Sequence, residues 1–363
     1  MLEGACSWAT SLRLADIPED VRQLAVAQAM SAAGARAASR RHPVSVRLVG
    51  AIDGPGWAQR AASDALLSMA LDFDETAFAG HLGHAVAAVA MRAAAEVGAD
   101  GERVVVAMVA ASEVAARLTA SVTLGRARGQ MASHTHAAAT VVAAGVVFQL
   151  TAAEMTNALS LALAQPRSVL LPAFMASDAK FWVAATAILD AAAAMNLAQR
   201  GGKGMSSVLE AHGGVFEALA DIPLPQAFDH YGARWHLRSL SIKAVPGCAY
   251  LGAAIEAAAG LGPIDLAEVD SVSVAGSIFT IGMESESAPY IAGPASPLPA
   301  LAFSTGYNVA AALATGGLNV ADLHGDRLAD PARWRVAARS GSGCGLIAMC
   351  GIAGHRSNAS ISS

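Results

Sequence analysis

Apolar segments with helical periodicity fill most of the first 260 residues, and many of their faces are built from Ala and Gly rather than Leu. Small side chains let helices pack at short interaxial distances. The chain is 54% hydrophobic and 15% charged, whereas typical domains have about 45–50% and about 25%. Much of it must therefore be buried, in helices that pack on one another or on a partner subunit. Its 363 residues suit one large domain or two.

The periodicity and the capping residues predict a series of helices. Pro18, Glu19 and Asp20 are typical of a first helical turn, and Thr151 with Glu154 forms a capping-box pattern. The predicted segments cover residues 18–40, 57–71, 85–97, 102–120, 137–149, 152–164, 179–200 and 206–219.

After Lys243 the pattern changes to short helices and strands. We expect helices at residues 248–260 and 303–315, strands at 269–275, 333–339 and 346–352, a turn at 341–345, and loops at 277–287 and 289–299. The fold class is therefore mainly α: a large all-helical domain over residues 1–240, with the helix at 301–320 packing near it, a smaller α+β lid domain over 241–353, and a disordered tail at 354–363.

Composition excludes several functions. The net charge of −5 does not favour a nucleic-acid partner. The four cysteines lack the spacing of a zinc site, and so large an apolar chain does not need a disulfide framework. The N-terminus has no signal-peptide pattern, and the most apolar run, Ala137 to Phe148, is shorter than the about 20 residues that span a bilayer. We expect a cytoplasmic protein without a membrane partner.

Lysine is rare in this chain. Only three of the 24 basic residues are lysines, namely Lys180, Lys203 and Lys243. Lys180 and Lys243 stand in apolar surroundings, whereas Lys203 lies in a Gly-rich loop. A compact ammonium whose pKa responds to burial can do chemistry that a guanidinium cannot. The alternative is snorkelling, with a buried stem and the ammonium in water.

An acidic segment, Leu71 to Thr76, is followed closely by His81 and His84. Carboxylate, hydroxyl and imidazole groups at one helix–loop–helix junction can form a proton-transfer cluster. The alternative is an acidic loop with helix-capping groups. No metal is predicted, because the two histidines have no evident third ligand in the sequence.

Two further polar segments can contribute to a site. Gln130, His134 and His136 lead into an Ala-rich helix, where the histidines either face a substrate or cap the helix. Tyr307 lies at the start of another helix, where free N–H groups can bind an anion. Together with Asp72, His81, Lys180 and Lys243, Tyr307 completes a set suited to a small substrate with several carboxylates.

These segments, in this order, resemble the MmgE/PrpD family, which includes 2-methylcitrate dehydratase, cis-aconitate decarboxylase and iminodisuccinate epimerase. The resemblance covers roughly residues 10 to 340. Its motifs are Leu71-Asp-Phe-Asp-Glu-Thr76 with His81, Ala179-Lys180, Lys243-Ala-Val-Pro-Gly-Cys248 with Tyr250, and Phe303-Ser-Thr-Gly-Tyr307.

The resemblance implies a homodimeric enzyme that needs no metal or organic cofactor. It implies catalytic roles for Asp72, His81, Lys180, Lys243 and Tyr307, and substrate-binding positions at Thr76, Gln130, His134, His136 and Cys248. The chain departs from the family pattern in having Val183, Ala249 and Gly252 at polar positions, in having Gln130 where the family has a histidine, and in a shorter lid.

We therefore expect a divergent lyase of the dehydratase type that removes an α-proton from a small hydroxy-carboxylate. One alternative, which the lost polar groups favour, is an epimerase, isomerase, decarboxylase or cyclase that uses the same site in specialised metabolism. The other is a non-catalytic binding or partner subunit, which the shortened lid and Val183 favour.

Overall fold

A computed structural model describes residues 1–78, 80–125, 131–165, 169–344, 349–354 and 357–360. The described chain is mainly helical. Its helices are α1 (Leu2–Ser11), α2 (Glu19–Arg40), α3 (Ser45–Leu48), α4 (Trp57–Met69), α5 (Gly83–Val97), α6 (Gly101–Ser121), α7 (Met131–Val147), α8 (Ala152–Ala164), α9 (Leu171–Ala176), α10 (Ala179–Gln199), α11 (Val215–Leu219), α12 (Gly252–Gly260), α13 (Ile278–Ser287), α14 (Leu298–Ala302), α15 (Thr305–Thr315), α16 (Gly325–Ala329) and α17 (Pro331–Ala338).

A body of long helices forms the N-terminal part. Helix α7 packs between α5, α6 and α8, and α10 lies across α4, α7 and α8. The buried faces of these helices are largely alanine, as the sequence suggested. The predicted capping box of α8 is confirmed: Thr151 Oγ1 accepts from the Glu154 amide, and the Glu154 carboxylate accepts from the Thr151 amide.

Two helices, α6 and α10, are long and apolar enough to cross a membrane by length and composition. Both helices are longer than the apolar run at Ala137–Phe148, which the sequence analysis judged too short to span a bilayer. Most of each is buried inside the protein, and α6 carries an ion pair between Glu113 and Arg117 in its buried part. These are the properties of core helices, because a buried ion pair needs protein partners on all sides.

The strands form two small sheets. Strands β1 (Thr76–Ala77) and β2 (Gly80–His81) pair antiparallel. The second sheet contains β3 (Ser271–Gly276), β4 (Ser340–Cys344), β5 (Met349–Gly354) and β6 (Ser357–Ser360) in the order β4-β3-β5-β6, with β3 parallel to β4 and the other neighbours antiparallel.

Three sequence predictions in the C-terminal part were wrong. Residues 333–338 fall in helix α17, which begins at Pro331 after the Asp330 cap, and residues 278–287 form helix α13, capped by Ser277. The Gly-rich segment at 341–345 contributes strand β4, and residues 357–360 form strand β6 within the predicted tail. Strands β4 and β6 form because they pair with neighbouring strands of the sheet, and the local sequence does not reveal such pairing.

The helix predicted at 303–315 is α15, and it packs chiefly against α12 and α17. The predicted domain boundary near residue 240 is bridged by backbone pairing, since Thr76 and Ser241 exchange both hydrogen bonds, at 3.0 and 2.8 Å. This pairing brings the end of α4 and the segment after Ser241 together.

Candidate acid–base site

Asp72 lies in a turn after α4, in the left-handed conformation with φ of 50°. Its amide donates to Met69 O at 3.0 Å. A non-glycine residue pays about 1–2 kcal/mol for this conformation, and it persists where surrounding contacts fix it. The turn directs a buried carboxylate towards the segment that carries Lys243 and towards the start of α10.

Both predicted lysines bind this one carboxylate. Lys180 Nζ lies 2.5 Å from Asp72 Oδ2, and Lys243 Nζ lies 2.7 Å from Asp72 Oδ1 and 2.8 Å from the Asp72 carbonyl. Only 1% and 6% of the two lysine side chains are exposed. The snorkelling alternative is therefore wrong for both, because their ammonium groups end in the interior.

The segment after Ser241 is held by backbone bonds. The Gly247 amide donates to the carbonyls of Leu71 and Asp72, and the Cys248 amide donates to the carbonyl of Ala302. Gly247 has a φ of 103°, a conformation that other residues rarely adopt. The Pro-Gly pair after Lys243 thus turns the chain back onto the Asp72 turn.

The ionisation states of this group follow from its neighbours. Burial alone would raise the pKa of Asp72, but Lys180 and Lys243 hold it below the ordinary value, so Asp72 is ionised. Burial lowers the pKa of Lys243, and Asp72 and Asp74 more than compensate and raise it. Burial would also raise the pKa of Asp74, but His81, His84 and Lys243 hold it well below the ordinary value, so the two ionised carboxylates balance the two ammonium groups.

Lys180 also has an aromatic environment. Its Nζ lies 4.3 Å from the ring centroid of Phe303 and 5.2 Å from that of Phe174. Cation–π contacts stabilise a desolvated ammonium by about 2 kcal/mol. The walls on this side are apolar, and Val183, which stands where the family has a histidine, is buried one turn further along α10.

Asp74 brings two histidines together. His81 Nδ1 lies 2.7 Å from Asp74 Oδ2, and His84 Nδ1 lies 3.1 Å from the same oxygen. When His81 Nδ1–H donates to Asp74, Nε2 is left as the proton acceptor, and it lies 3.8 Å from Asp72 Oδ1. His81 is 21% exposed and so lies at the rim of the buried group. These three side chains could also hold a metal ion; Asp74 is the third ligand that the sequence analysis did not find.

Glu75 is fully buried behind this group, and neither of its carboxylate oxygens has a hydrogen-bond partner by distance and angle. Burial, and then the charge of Asp74, raise its pKa to about 8. Its carboxylate occupies the space where a Cβ on Gly83 would lie, with Oε1 1.8 Å from that position. Gly83 at the start of α5 is therefore required to accommodate Glu75.

The remaining predicted substrate-binding residues are dispersed. His136 on α7 lies with its ring 4.6 Å from that of His84, and burial, then His84, lower its pKa well below the ordinary value. His134 is buried on the same helix. Thr76 joins the site through its backbone pairing with Ser241, and Gln130 lies outside the described residues.

Cys248 lies close to the charged group and is buried. Burial, then Asp72, raise the pKa of its thiol to about 12. Cys248 is thus a neutral thiol at the position where some members of the family carry a histidine, and it is unsuited to proton transfer near neutral pH.

Tyr307 does not join the site. Its hydroxyl donates to the carbonyl of Asp322, and its ring stacks on Trp334 at 4.6 Å. Burial raises the pKa of the Tyr307 phenol, Arg333 lowers it, and Asp322 and Asp330 raise it. The predicted catalytic role is therefore not supported: the start of α15 is held by this C-terminal cluster, and the hydroxyl is already used there.

Sequence reasoning missed Asp74, Glu75, Phe174 and Phe303 as parts of the site. Asp74 stood in the acidic segment beside Asp72, but this segment is a turn in which Asp72 has a positive φ, so sequence spacing alone does not place the Asp74 side chain. Phe174 stands six residues before Lys180, and Phe303 opens the motif that contains Tyr307. Their contact with Lys180 depends on the packing of α9 and α14, which sequence separation does not reveal.

The fold thus brings together, in a helical body, a buried cluster of two lysines and two aspartates with a histidine at its rim. The sequence profile of the MmgE/PrpD N-terminal domain matches residues 3–226, so the chain belongs to the MmgE/PrpD family. No curated protein shows significant similarity to the chain. Enzymes of the dehydratase and lyase type are typical of this family.

Proposed function

We propose that the protein is a lyase of the dehydratase type that removes a proton from the carbon next to a carboxylate. The observation that carries the proposal is the pair of buried ammonium groups on Asp72, with an imidazole 3.8 Å from the same carboxylate. Removal of an α-proton places negative charge on the carboxylate oxygens, and fixed cations stabilise that charge most in a site from which water is excluded.

His81 is the base in this proposal. Asp74 accepts from Nδ1 and so fixes the tautomer in which Nε2 accepts the proton. Lys180 and Lys243 bind the carboxylate and the developing enolate. The leaving hydroxyl takes a proton from an ammonium or from protonated His81, since Tyr307 is engaged elsewhere.

The surroundings of the two lysines favour a substrate with few carboxylates. Asp72 and Asp74 together balance the charge of the two ammonium groups. Phe174, Phe303 and Val183 make the surroundings of Lys180 apolar. We therefore expect less charged substrates than the several carboxylates suggested by the sequence.

Epimerisation or isomerisation is the second candidate. It needs proton removal and return but no acid for a leaving hydroxyl, and the Tyr307 phenol, which could supply such an acid, bonds to Asp322 instead. The two reactions differ in product, because only a lyase releases water or adds it.

The test combines binding with product analysis. Wild type, Lys243→Met and the control Lys203→Met are screened by thermal unfolding against mono-, di- and tricarboxylates with and without an α-hydroxyl. A ligand at about a hundred times its Kd adds roughly 2.7 kcal/mol to the free energy of unfolding. The proposal expects a shift in wild type and in the exposed Lys203 control that is lost in Lys243→Met, and NMR detection of an unsaturated product. Equal shifts in all three proteins would contradict it.

A cytoplasmic location, a homodimeric state and a role in specialised metabolism belong to the same proposal. Light scattering after gel filtration tests the dimer directly: a mass near twice the 36.6 kDa of the chain is expected, and a mass equal to it would exclude the dimer.

A further inference from the structure

Asp74, His81 and His84 form a compact set of donor atoms. One ligand atom from each residue lies within 4.8 Å of the other two, and Asp74 Oδ2 is 2.7 Å from His81 Nδ1 and 3.1 Å from His84 Nδ1. Zinc binds imidazole at about 2.0–2.1 Å and carboxylate at about 2.0–2.2 Å, so its tetrahedral ligand atoms lie about 3.3 Å apart. Both separations from Asp74 Oδ2 are somewhat shorter than that value, so an ion would move the three ligand atoms slightly apart.

Several of these atoms are buried without a hydrogen-bond partner. Asp74 Oδ1 and both ring nitrogens of His84 are in this state, and both residues are fully buried. His84 Nδ1 approaches Asp74 closely but without the direction that a hydrogen bond needs. Buried polar atoms without partners are costly, and a cation between them would satisfy the carboxylate and the imidazole together.

The surroundings of the set favour an ion rather than additional hydrogen bonds. His136 packs edge-on against His84, and both of its ring nitrogens also lack partners, which makes it the candidate for a fourth ligand. The set is bordered by the partly exposed His81 and by a cavity of about 30 Å³ that His84 lines together with Asp64.

We propose that Asp74, His81 and His84 bind a divalent transition-metal ion, and that the ion competes with the proton on His81 Nδ1. Two imidazoles and one carboxylate suit Zn²⁺, Fe²⁺ or Co²⁺ better than Mg²⁺ or Ca²⁺, which prefer oxygen ligands. When Nδ1 binds the ion, the imidazole proton moves to Nε2. His81 then offers a donor where the proposed reaction needs an acceptor, so the ion inhibits.

Binding is independent of the proposed function, whereas inhibition rests on it. The experiment therefore measures binding first, without substrate. Chelator-treated protein is titrated with Co²⁺, and visible d–d absorption and equilibrium dialysis report the geometry and the stoichiometry. Wild type is compared with His84→Ala, with His81→Ala at the exposed rim, and with His212→Ala. His212 is an exposed histidine beside Glu217 and serves as the matched control.

We expect one Co²⁺ per chain with the absorption of a four- or five-coordinate ion in wild type and in His212→Ala. Affinity should fall more than tenfold in each of the two site variants, which is at least the loss seen when outer-shell groups are changed. His81→Ala keeps the test valid if His84→Ala does not fold. Absence of Co²⁺ binding in wild type, or equal binding in His81→Ala, would overturn the proposal. If Co²⁺ binds but chelated enzyme turns over no carboxylate, the proposed function fails and the metal site stands.

Discussion

The ammonium of Lys180 lies 2.5 Å from Asp72 Oδ2, with both side chains almost fully buried. This contact joins the start of α10 to the turn after α4, 108 residues apart in the sequence. Lys243, on a third segment, contacts the other carboxylate oxygen of Asp72. The same carboxylate thus joins three segments of the fold and holds two ammonium groups beside each other.

The first prediction concerns the removal of one cation. Lys180→Met leaves Asp72 with a single partner in the interior, and breaking a buried pair costs about 3–5 kcal/mol. We expect a loss of that order in the free energy of unfolding, measured with urea. Lys203→Met is the exposed control and should change stability by less than about 0.5 kcal/mol. An unchanged stability in Lys180→Met would refute the buried pair.

Tyr307→Phe separates a structural role from a catalytic one. The variant loses the hydrogen bond from the phenol to Asp322, worth about 0.5–1.5 kcal/mol, while the stacking on Trp334 remains. We expect a lower melting temperature and unchanged kcat/KM on whichever carboxylate the enzyme turns over. A loss of kcat without a loss of stability would return Tyr307 to the active site.

Glu75 predicts how stability depends on pH. Its pKa in the folded protein is about 8, above the 4.5 expected for the unfolded chain, so the folded state retains a proton that the unfolded state has lost between these values. Its contribution is complete below pH 4.5 and is lost as the pH rises to about 8, by up to about 1.4 kcal/mol per pH unit.

Glu75→Gln removes this term, since the amide does not ionise. Urea unfolding of both proteins is measured between pH 5 and pH 8.5 with chelator present. The free energy of unfolding of Glu75→Gln should increase relative to that of wild type as the pH rises. A constant difference across the range would contradict the assignment of a protonated Glu75.

Asp74→Asn tests how His81 is held. The amide cannot accept from Nδ1 in the way that a carboxylate does, so the tautomer with a free Nε2 is no longer favoured. We expect kcat to fall about 10²-fold or more with little change in KM, in chelated enzyme. Asp20→Asn, which removes an exposed partner of Arg238, is the control and should keep wild-type kinetics. An equal kcat in Asp74→Asn would exclude Asp74 as the group that orients His81.

The sequence predicted α2, α4, α5, α6, α8 and α10 well, because their Ala-rich periodicity is strong, but it began α7 six residues late and did not predict α9. It also selected Asp72, His81, Lys180 and Lys243, which the fold does bring together. It failed where tertiary pairing decides, as in β4 and α17. It also failed where a chemical group is already used by another part of the fold, as with Tyr307 and the Asp322 carbonyl. Asp74 was visible in the acidic segment, but its contacts with His81 and His84 required the geometry of the turn between β2 and α5.

Proton exchange in D₂O tests the central claim most directly, because it detects removal of the α-proton whatever the final product. Candidate carboxylates are incubated with wild type and with His81→Ala, and loss of the α-proton signal is followed by ¹H NMR in chelator-containing buffer. The account predicts exchange with at least one carboxylate in wild type, reduced about 10²-fold or more in the variant. Exchange at equal rates in both proteins, or none with any carboxylate that stabilises the wild type, would contradict it.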